Sequence, residues 1–197
     1  MEALRGTKEI KTVAVVGAGN MGQGIAQVFA QAGRQVNLTD ANEAALEQGL
    51  KQIRRNVSAC VEGGLISPEN GDAAVSAIRP FTCLCETLQE ADYVVEAISE
   101  VLEHKQRLFC KMEKSCPPDV ILASNTSGLR IANIASGMTH PERAATNHFW
   151  MPAHLIPIVE VVGGERTNPE AVRICCELLA EAGKTPVIVC KDVPRFT

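Results

Sequence analysis

Short apolar runs alternate with longer amphipathic ones along this chain. The stretch K-T-V-A-V-V-G, ending at Gly17, has strand length and breaks at glycine, and apolar residues then recur at helical spacing through Ile25, Val28 and Phe29 to Gly33, a helix stop. R-Q-V-N-L-T-D reads as a second strand ending on Asp40, and the helical pattern after it closes at Gly63-Gly64. The order β-α-β-α points to a parallel sheet, because parallel neighbours need a crossover between them. Ser67 to Ile78 predicts a further helix, P-F-T-C-L-C from Pro80 a weak strand, and A-D-Y-V-V-E-A-I-S from Ala91 a strand buried on both faces. Glu100 to Cys116 is an amphipathic helix, and D-V-I-L-A-S-N-T-S from Asp119 is a strand running into a polar loop. A short helix is expected from Leu129 to Ala135. Two strands follow, R-A-A-T-N-H-F-W and I-P-I-V-E-V-V-G, around a loop holding Pro152, then a helix from Pro169 to Gly183 and a last strand, T-P-V-I-V-C.

No repeat, low-complexity tract or linker interrupts this pattern, so residues 11–191 read as a single domain, after an N-terminal extension at 1–10 and before a linker at 192–197. With 197 residues, 46% of them hydrophobic, the chain can bury a substantial core. The net charge of −4, with no Lys/Arg block, leaves no electrostatic footprint for nucleic acid or an anionic membrane. The N-terminus lacks the apolar core of a secretory signal and no run of about 18 apolar residues occurs, so the expected location is cytoplasmic. Of the eight cysteines, Cys83/Cys85 and Cys175/Cys176 are too closely spaced for ordinary bridges, and no C-x-x-C pair suits zinc. They read as reduced thiols, mostly small core hydrophobes.

Gly17-x-Gly19-x-x-Gly22 lies between a predicted strand and a predicted helix, the context in which this pattern signals a dinucleotide. The first glycine permits the tight turn, the second admits a pyrophosphate to the backbone amides, and the third allows close helix packing. The fold expectation is therefore α/β, a Rossmann-type doubly wound, mainly parallel sheet with a C-terminal strand pair. Asp40 follows about 20 residues on, where a carboxylate accepts from the adenine ribose hydroxyls and repels a 2′-phosphate, favouring NAD over NADP. The alternative for the same Asp is to cap the helix beginning near Asn42, and the glycine motif upstream favours the cofactor role. Asn125, Thr126 and Ser127 stand at the carboxyl end of a strand, placed to donate to a substrate or to nicotinamide, although Ser127 also suits a helix cap.

Glu160 sits in I-P-I-V-E-V-V, where an ionised carboxylate needs a partner. A hairpin turning about His154 leaves His148 and Glu160 equally far from the turn, so antiparallel pairing sets them face to face. A carboxylate on one ring nitrogen fixes the tautomer and raises the basicity of the other, as a general base requires. The alternative is that His148 merely ends its strand and Glu160 turns to solvent. Position after a nucleotide-binding unit favours the pair. His104 and His140 lie in polar surroundings and read as surface residues.

From Lys11 to about Pro194 the chain resembles the L-3-hydroxyacyl-CoA dehydrogenases and their relatives acting on other 3-hydroxy substrates. The resemblance rests on G-A-G-N-M-G-Q-G-I-A, V-V-E-A-I-S-E, A-S-N-T-S, H-F-W-M-P followed by V-E-V-V, and C-K-D-V-P. It implies an NAD-dependent enzyme that oxidises a small-molecule 3-hydroxyacyl substrate, a CoA thioester, to the 3-keto product. His148 would be the base, Glu160 its orienting carboxylate, and Ser127 a hydrogen-bonding partner of the substrate oxygen. It further implies cofactor contacts at Glu100, Lys105 and Asn125, although by pattern Glu100 and Lys105 belong to an ordinary solvated helix face. The chain departs from the family at Met151, where H-F-x-N-P is usual, and at Arg195, where K-D-x-P-G-F is usual. The family's all-helical second domain, which supplies an active-site Asn, closes over substrate and makes a homodimer, is expected beyond Thr197, leaving this chain catalytically incomplete alone. Two other readings stand beside this one: a dehydrogenase of carnitine or a sugar acid, and a non-catalytic NAD-binding module.

Overall fold

The computed structural model describes residues 3–194. Arg195 and Thr197, on which part of the expected linker falls, lie outside the described residues. The apolar runs become β1 (Thr12–Val16), β2 (Gln35–Thr39), β3 (Ile78–Phe81), β4 (Tyr93–Glu96), β5 (Ile121–Ser124), β6 (Ala144–Phe149), β7 (Ile158–Gly163) and β8 (Thr185–Val189). They form one sheet in the order β3-β2-β1-β4-β5-β6-β7-β8. β1 to β6 run parallel, β7 turns back against β6, and β8 lies parallel to β7. The fold is the expected Rossmann-type α/β sheet with a reversed C-terminal pair.

Period-two alternation assigns the strand residues to two cores. Val13, Val15, Tyr93, Val95, Ile121 and Ala123 join one cluster, while Ala14, Val16, Val94 and Leu122 join the other. The first cluster is completed by α1 (Asn20–Gln31), α2 (Glu43–Glu62), α3 (Pro68–Ser76) and α7 (Pro169–Glu181), through Ile25, Phe29, Ile53, Ala74, Ile174 and Leu178. The second is completed by α4 (Leu84–Gln89), α5 (Leu102–Ser115) and α6 (Ile131–Ile134), through Leu88, Phe109, Met112, Ile131 and Ile134. Both faces of the sheet are thereby covered, as an almost wholly apolar β4 and β5 demand.

Two expectations are corrected here. The strand expected from Pro80 begins at Ile78 and ends at Phe81, and Leu84 and Cys85 open the helix α4 instead. Pro80 is tolerated because β3 is an edge strand that pairs only with β2. The cysteines are not mostly core: Cys60 and Cys175 are buried, Cys83, Cys85 and Cys190 are exposed, and the rest are intermediate, all with free thiols. Before β1, Arg5 pairs with Asp119 at 2.6 Å and with Asp92, and Ile10 is fully buried. Among the described residues no helix is long and apolar enough to cross a membrane.

Candidate active site

The sheet order reverses between β2 and β4, on either side of β1, and the carboxyl ends of these strands border a cleft of about 710 Å³. Gly17 leaves β1 at φ +107°, and a Cβ there would lie 2.6 Å from the Ala97 carbonyl oxygen. A Cβ on Gly22 would come within 1.7 Å of the Gly17 oxygen, so only glycine lets α1 press onto this turn. Gly19 differs. It is the N-cap of α1 and lines the cleft, and a Cβ on it would meet no protein atom within 4 Å. The first turn of α1 carries no acidic residue and no side-chain cap, which leaves its amides and partial positive charge directed at the cleft. These features fit a dinucleotide: the loop can take a pyrophosphate where any side chain at Gly19 would intrude.

Asp40 lines the same cleft and accepts from the backbone amides of Ala18, at 2.8 Å, and Asn42, at 2.9 Å. It does not cap α2. Asn42 does, its side chain accepting from the amides of Ala44 and Ala45 at 3.0 and 3.3 Å.

A second cavity of about 460 Å³ shares Ala97 and Ile98 with the dinucleotide cleft and is lined further by Met21, Glu100, Asn125, Ser127, His148 and Trp150. In the β6–β7 pairing His148 stands opposite Glu160. His148 Nδ1 lies 2.7 Å from Glu160 Oε2, and each side chain is 13% exposed. Trp150 Nε1 donates to the same oxygen at 3.4 Å. With Nδ1–H directed at the carboxylate, the tautomer is fixed and Nε2 is the nitrogen with the accepting lone pair. Met151 lies exposed on the rim of this cavity, before a cis Pro152. His104 and His140 are on the surface.

The loop after β5 divides its polar groups. Asn125 Oδ1 accepts from the Phe149 amide at 2.8 Å, tying the carboxyl ends of β5 and β6 together. Thr126 is buried, contrary to the expectation that it faces a ligand. Its hydroxyl donates to Glu100 Oε1 at 2.5 Å and accepts from the Leu129 amide at 3.0 Å. Ser127 is exposed in the cavity and caps nothing; the amides of Ile131 and Ala132 at the start of α6 donate instead to the Asp192 carboxylate, each at 3.0 Å.

Glu100 Oε1 also accepts from the amides of Ser127 and Gly128, at 3.0 Å each. Burial pushes its carboxyl up, but the Thr126 hydroxyl, the Lys105 charge and the two amides outweigh burial and hold it below the usual carboxylate range. Glu100 is therefore an anion at the cavity wall. Lys105 is not on a solvated face: its side chain is 1% exposed, with Nζ 2.6 Å from Glu96 Oε1 and 3.4 Å from Glu100 Oε2. It lines neither cleft. Glu96, fully buried on β4, is the residue that sequence reasoning missed. A carboxylate inside V-V-E-A-I is the same signal that singled out Glu160 inside I-V-E-V-V.

A sequence model of the family described as "3-hydroxyacyl-CoA dehydrogenase, NAD binding domain" matches residues 12–193. The 3-hydroxyadipyl-CoA dehydrogenase of Escherichia coli (strain K12) is 40% identical over 187 residues, which cover 95% of this chain and 39% of that protein. The probable 3-hydroxybutyryl-CoA dehydrogenase of Bacillus subtilis (strain 168) is 38% identical over 191 residues, 95% of this chain and 65% of that protein. The crystal structure of 3-hydroxybutyryl-CoA dehydrogenase from Escherichia coli K12 superposes with a TM-score of 0.92 at 40% identity, over 95% of this chain and 39% of that one. The chain thus spans less than two thirds of the length of these relatives.

Proposed function

Since the chain belongs to the 3-hydroxyacyl-CoA dehydrogenase family, as its NAD-binding domain, we propose that it serves the NAD-dependent oxidation of an L-3-hydroxyacyl-CoA to the 3-ketoacyl-CoA. The observation that carries this reading is the His148–Glu160 contact of 2.7 Å in a cavity that adjoins the dinucleotide cleft. An imidazole held by a carboxylate beside a hydride acceptor is what dehydrogenation of an alcohol requires.

Bound NAD supplies the hydride acceptor. The amides of the glycine loop and the N-terminus of α1 would hold its pyrophosphate, and Asp40 would accept from the adenine ribose hydroxyls and disfavour a 2′-phosphate. Glu100 and Asn125, which line the cavity, would hold its nicotinamide half, with Lys105 acting through Glu100. His148 takes the proton of the substrate 3-hydroxyl as the hydride leaves C3, so that the C–O bond becomes the carbonyl. Glu160 keeps the tautomer and steadies the imidazolium, and the Ser127 hydroxyl donates to the substrate oxygen as negative charge grows there.

The same reading makes the protein cytoplasmic and homodimeric, completed by an all-helical domain over the cavity. Exposed Trp150 and Met151, which line the cavity, and Val187 and Ile188 on the edge strand β8 support a covering partner. The test is NADH formation by the intact protein that carries this chain, with (S)-3-hydroxybutyryl-CoA against L-carnitine and L-gulonate. Turnover of the thioester alone supports the proposal. Turnover of carnitine or gulonate alone moves the substrate class, and tight NADH binding without any turnover makes the domain a non-catalytic module.

A further inference from the structure

Glu96 takes no part in the chemistry above, yet its carboxylate gathers three donors from three places. Oε1 accepts from the Ile98 amide at 2.7 Å and from Lys105 Nζ at 2.6 Å, and Oε2 accepts from the Ser124 hydroxyl at 2.6 Å. Glu96, Lys105 and Ser124 are all buried. A buried ion pair is a poor stability device, since well-packed apolar residues of the same volume commonly do as well or better. What the pair does in this fold is place other groups.

Those groups belong to both clefts. Ile98 is part of the wall between the dinucleotide cleft and the cavity of His148. Lys105 Nζ also donates to the Ile98 oxygen at 3.4 Å and pairs with Glu100, which in turn holds Thr126 and the amides of Ser127 and Gly128. The backbone oxygen of Glu96 accepts from the Asn125 amide at 2.7 Å, and Asn125 fastens the Phe149 amide, next to His148. The glycine loop and Asp40, by contrast, are fastened by the Gly17 amide to the Thr39 oxygen at 2.8 Å and by the Ala18 and Asn42 amides to Asp40, and the Glu96 side chain bonds to none of them.

A dinucleotide anchored at Gly19 and Asp40 and delivering a reactive end to His148 must pass the wall at Ala97 and Ile98. We infer that Glu96, acting with Lys105, is a positioning residue that sets this wall and Glu100, and so holds the nicotinamide half of the cofactor in register with His148. The inference rests on the NAD reading. It distinguishes the two halves of the cofactor: the adenine half is independent of Glu96 and the nicotinamide half depends on it.

The experiment compares NADH with ADP, which lacks the nicotinamide riboside, by titrating each into the unaltered chain and into Glu96→Gln. The substitution keeps the shape of the side chain but removes its charge and one of its accepting oxygens. NADH should bind about tenfold more weakly to Glu96→Gln, and ADP within twofold of the unaltered chain. Adding Lys105→Met to Glu96→Gln removes the stranded cation and should restore thermal stability without restoring NADH affinity, because Glu100 then lacks the Lys105 partner that ties it to β4. Equal losses for NADH and ADP, or an unchanged NADH affinity in folded Glu96→Gln, would overturn the inference, and so would recovery of NADH affinity in the double variant. If Glu96→Gln fails to fold, Ser124→Ala carries the test, since it deletes one of the three bonds and strands no charge. A weakening of about threefold for NADH alone then supports the inference, and parallel or absent changes overturn it. Failure of both NADH and ADP to bind the unaltered chain would sink the cofactor reading itself, and the inference with it.

Discussion

Asp40 accepts a hydrogen bond from the Ala18 amide at 2.8 Å, so the carboxylate that follows β2 also fastens the glycine loop that follows β1. One residue thus shapes the pyrophosphate cradle and presents negative charge at its edge. Asp40→Asn should weaken NADH about tenfold, in line with the loss of about 1.4 kcal/mol from charge-assisted hydrogen bonds. NADPH should lose less or gain, because the repulsion of its 2′-phosphate goes with the charge. Fluorescence titration checks both, and equal affinities for NADH and NADPH in the unaltered protein would contradict the role given to Asp40.

The three glycines of the loop should separate under substitution. Gly19→Ala adds a methyl that meets no protein atom, so it should cost at most about 1 kcal/mol at this N-cap while lowering NADH affinity tenfold or more. Gly22→Ala drives a methyl to 1.7 Å from the Gly17 oxygen and should destabilise by several kcal/mol, roughly, because backbone must move. Chemical denaturation and NADH titration of the two variants give the contrast. Similar stability losses for both would mean that the cleft side of Gly19 is not open.

Stability should also fall on mild acidification through His154. Lys184 donates to the carbonyl oxygens of Ala153 and Ile156, at 2.6 and 3.0 Å, and so lies against the loop that carries His154. Burial, and then the charge of Lys184, lower the His154 pKa below its ordinary 6.5. The unfolded chain therefore takes up this proton first. The contribution of neutral His154 is complete above pH 6.5 and is lost as the pH falls through the lower folded value. His154→Gln should flatten the urea midpoint against pH in that window, and an unaltered slope would count against it.

Much of this site is legible in the chain because its signals are local. The strand-glycine-helix order around Gly17, Gly19 and Gly22 locates the cofactor cleft, and the period of two in V-E-V-V, with a turn near His154, is enough to set Glu160 opposite His148. What escaped depends on tertiary packing. Lys105 lies among Glu103, His104, Gln106 and Arg107 and reads as solvated, and only the approach of α5 to β4 buries its ammonium against Glu96. Helix α4 has six residues, too few for helical periodicity to outweigh the β-prone F-T-C-L-C that runs into its start. Asp40 and Asn42 are both good caps on composition, and the backbone geometry at Asn42 decides between them. Thr126 and Ser127 differ in role because Glu100 reaches one hydroxyl and not the other, which spacing alone does not encode.

The measurement that bears most directly on His148 and Glu160 is a double-mutant cycle on NADH formation from (S)-3-hydroxybutyryl-CoA by the intact protein. His148→Gln should lower turnover about a hundredfold or more, the scale of a lost general base, with NADH affinity nearly unchanged. Glu160→Gln should lower it less, because the imidazole keeps its accepting nitrogen and loses only the carboxylate that orients it. The double variant should be no slower than His148→Gln alone, since the carboxylate acts only through the imidazole. Losses that add, or full turnover by His148→Gln, would contradict the assignment of this pair as base and orienting carboxylate.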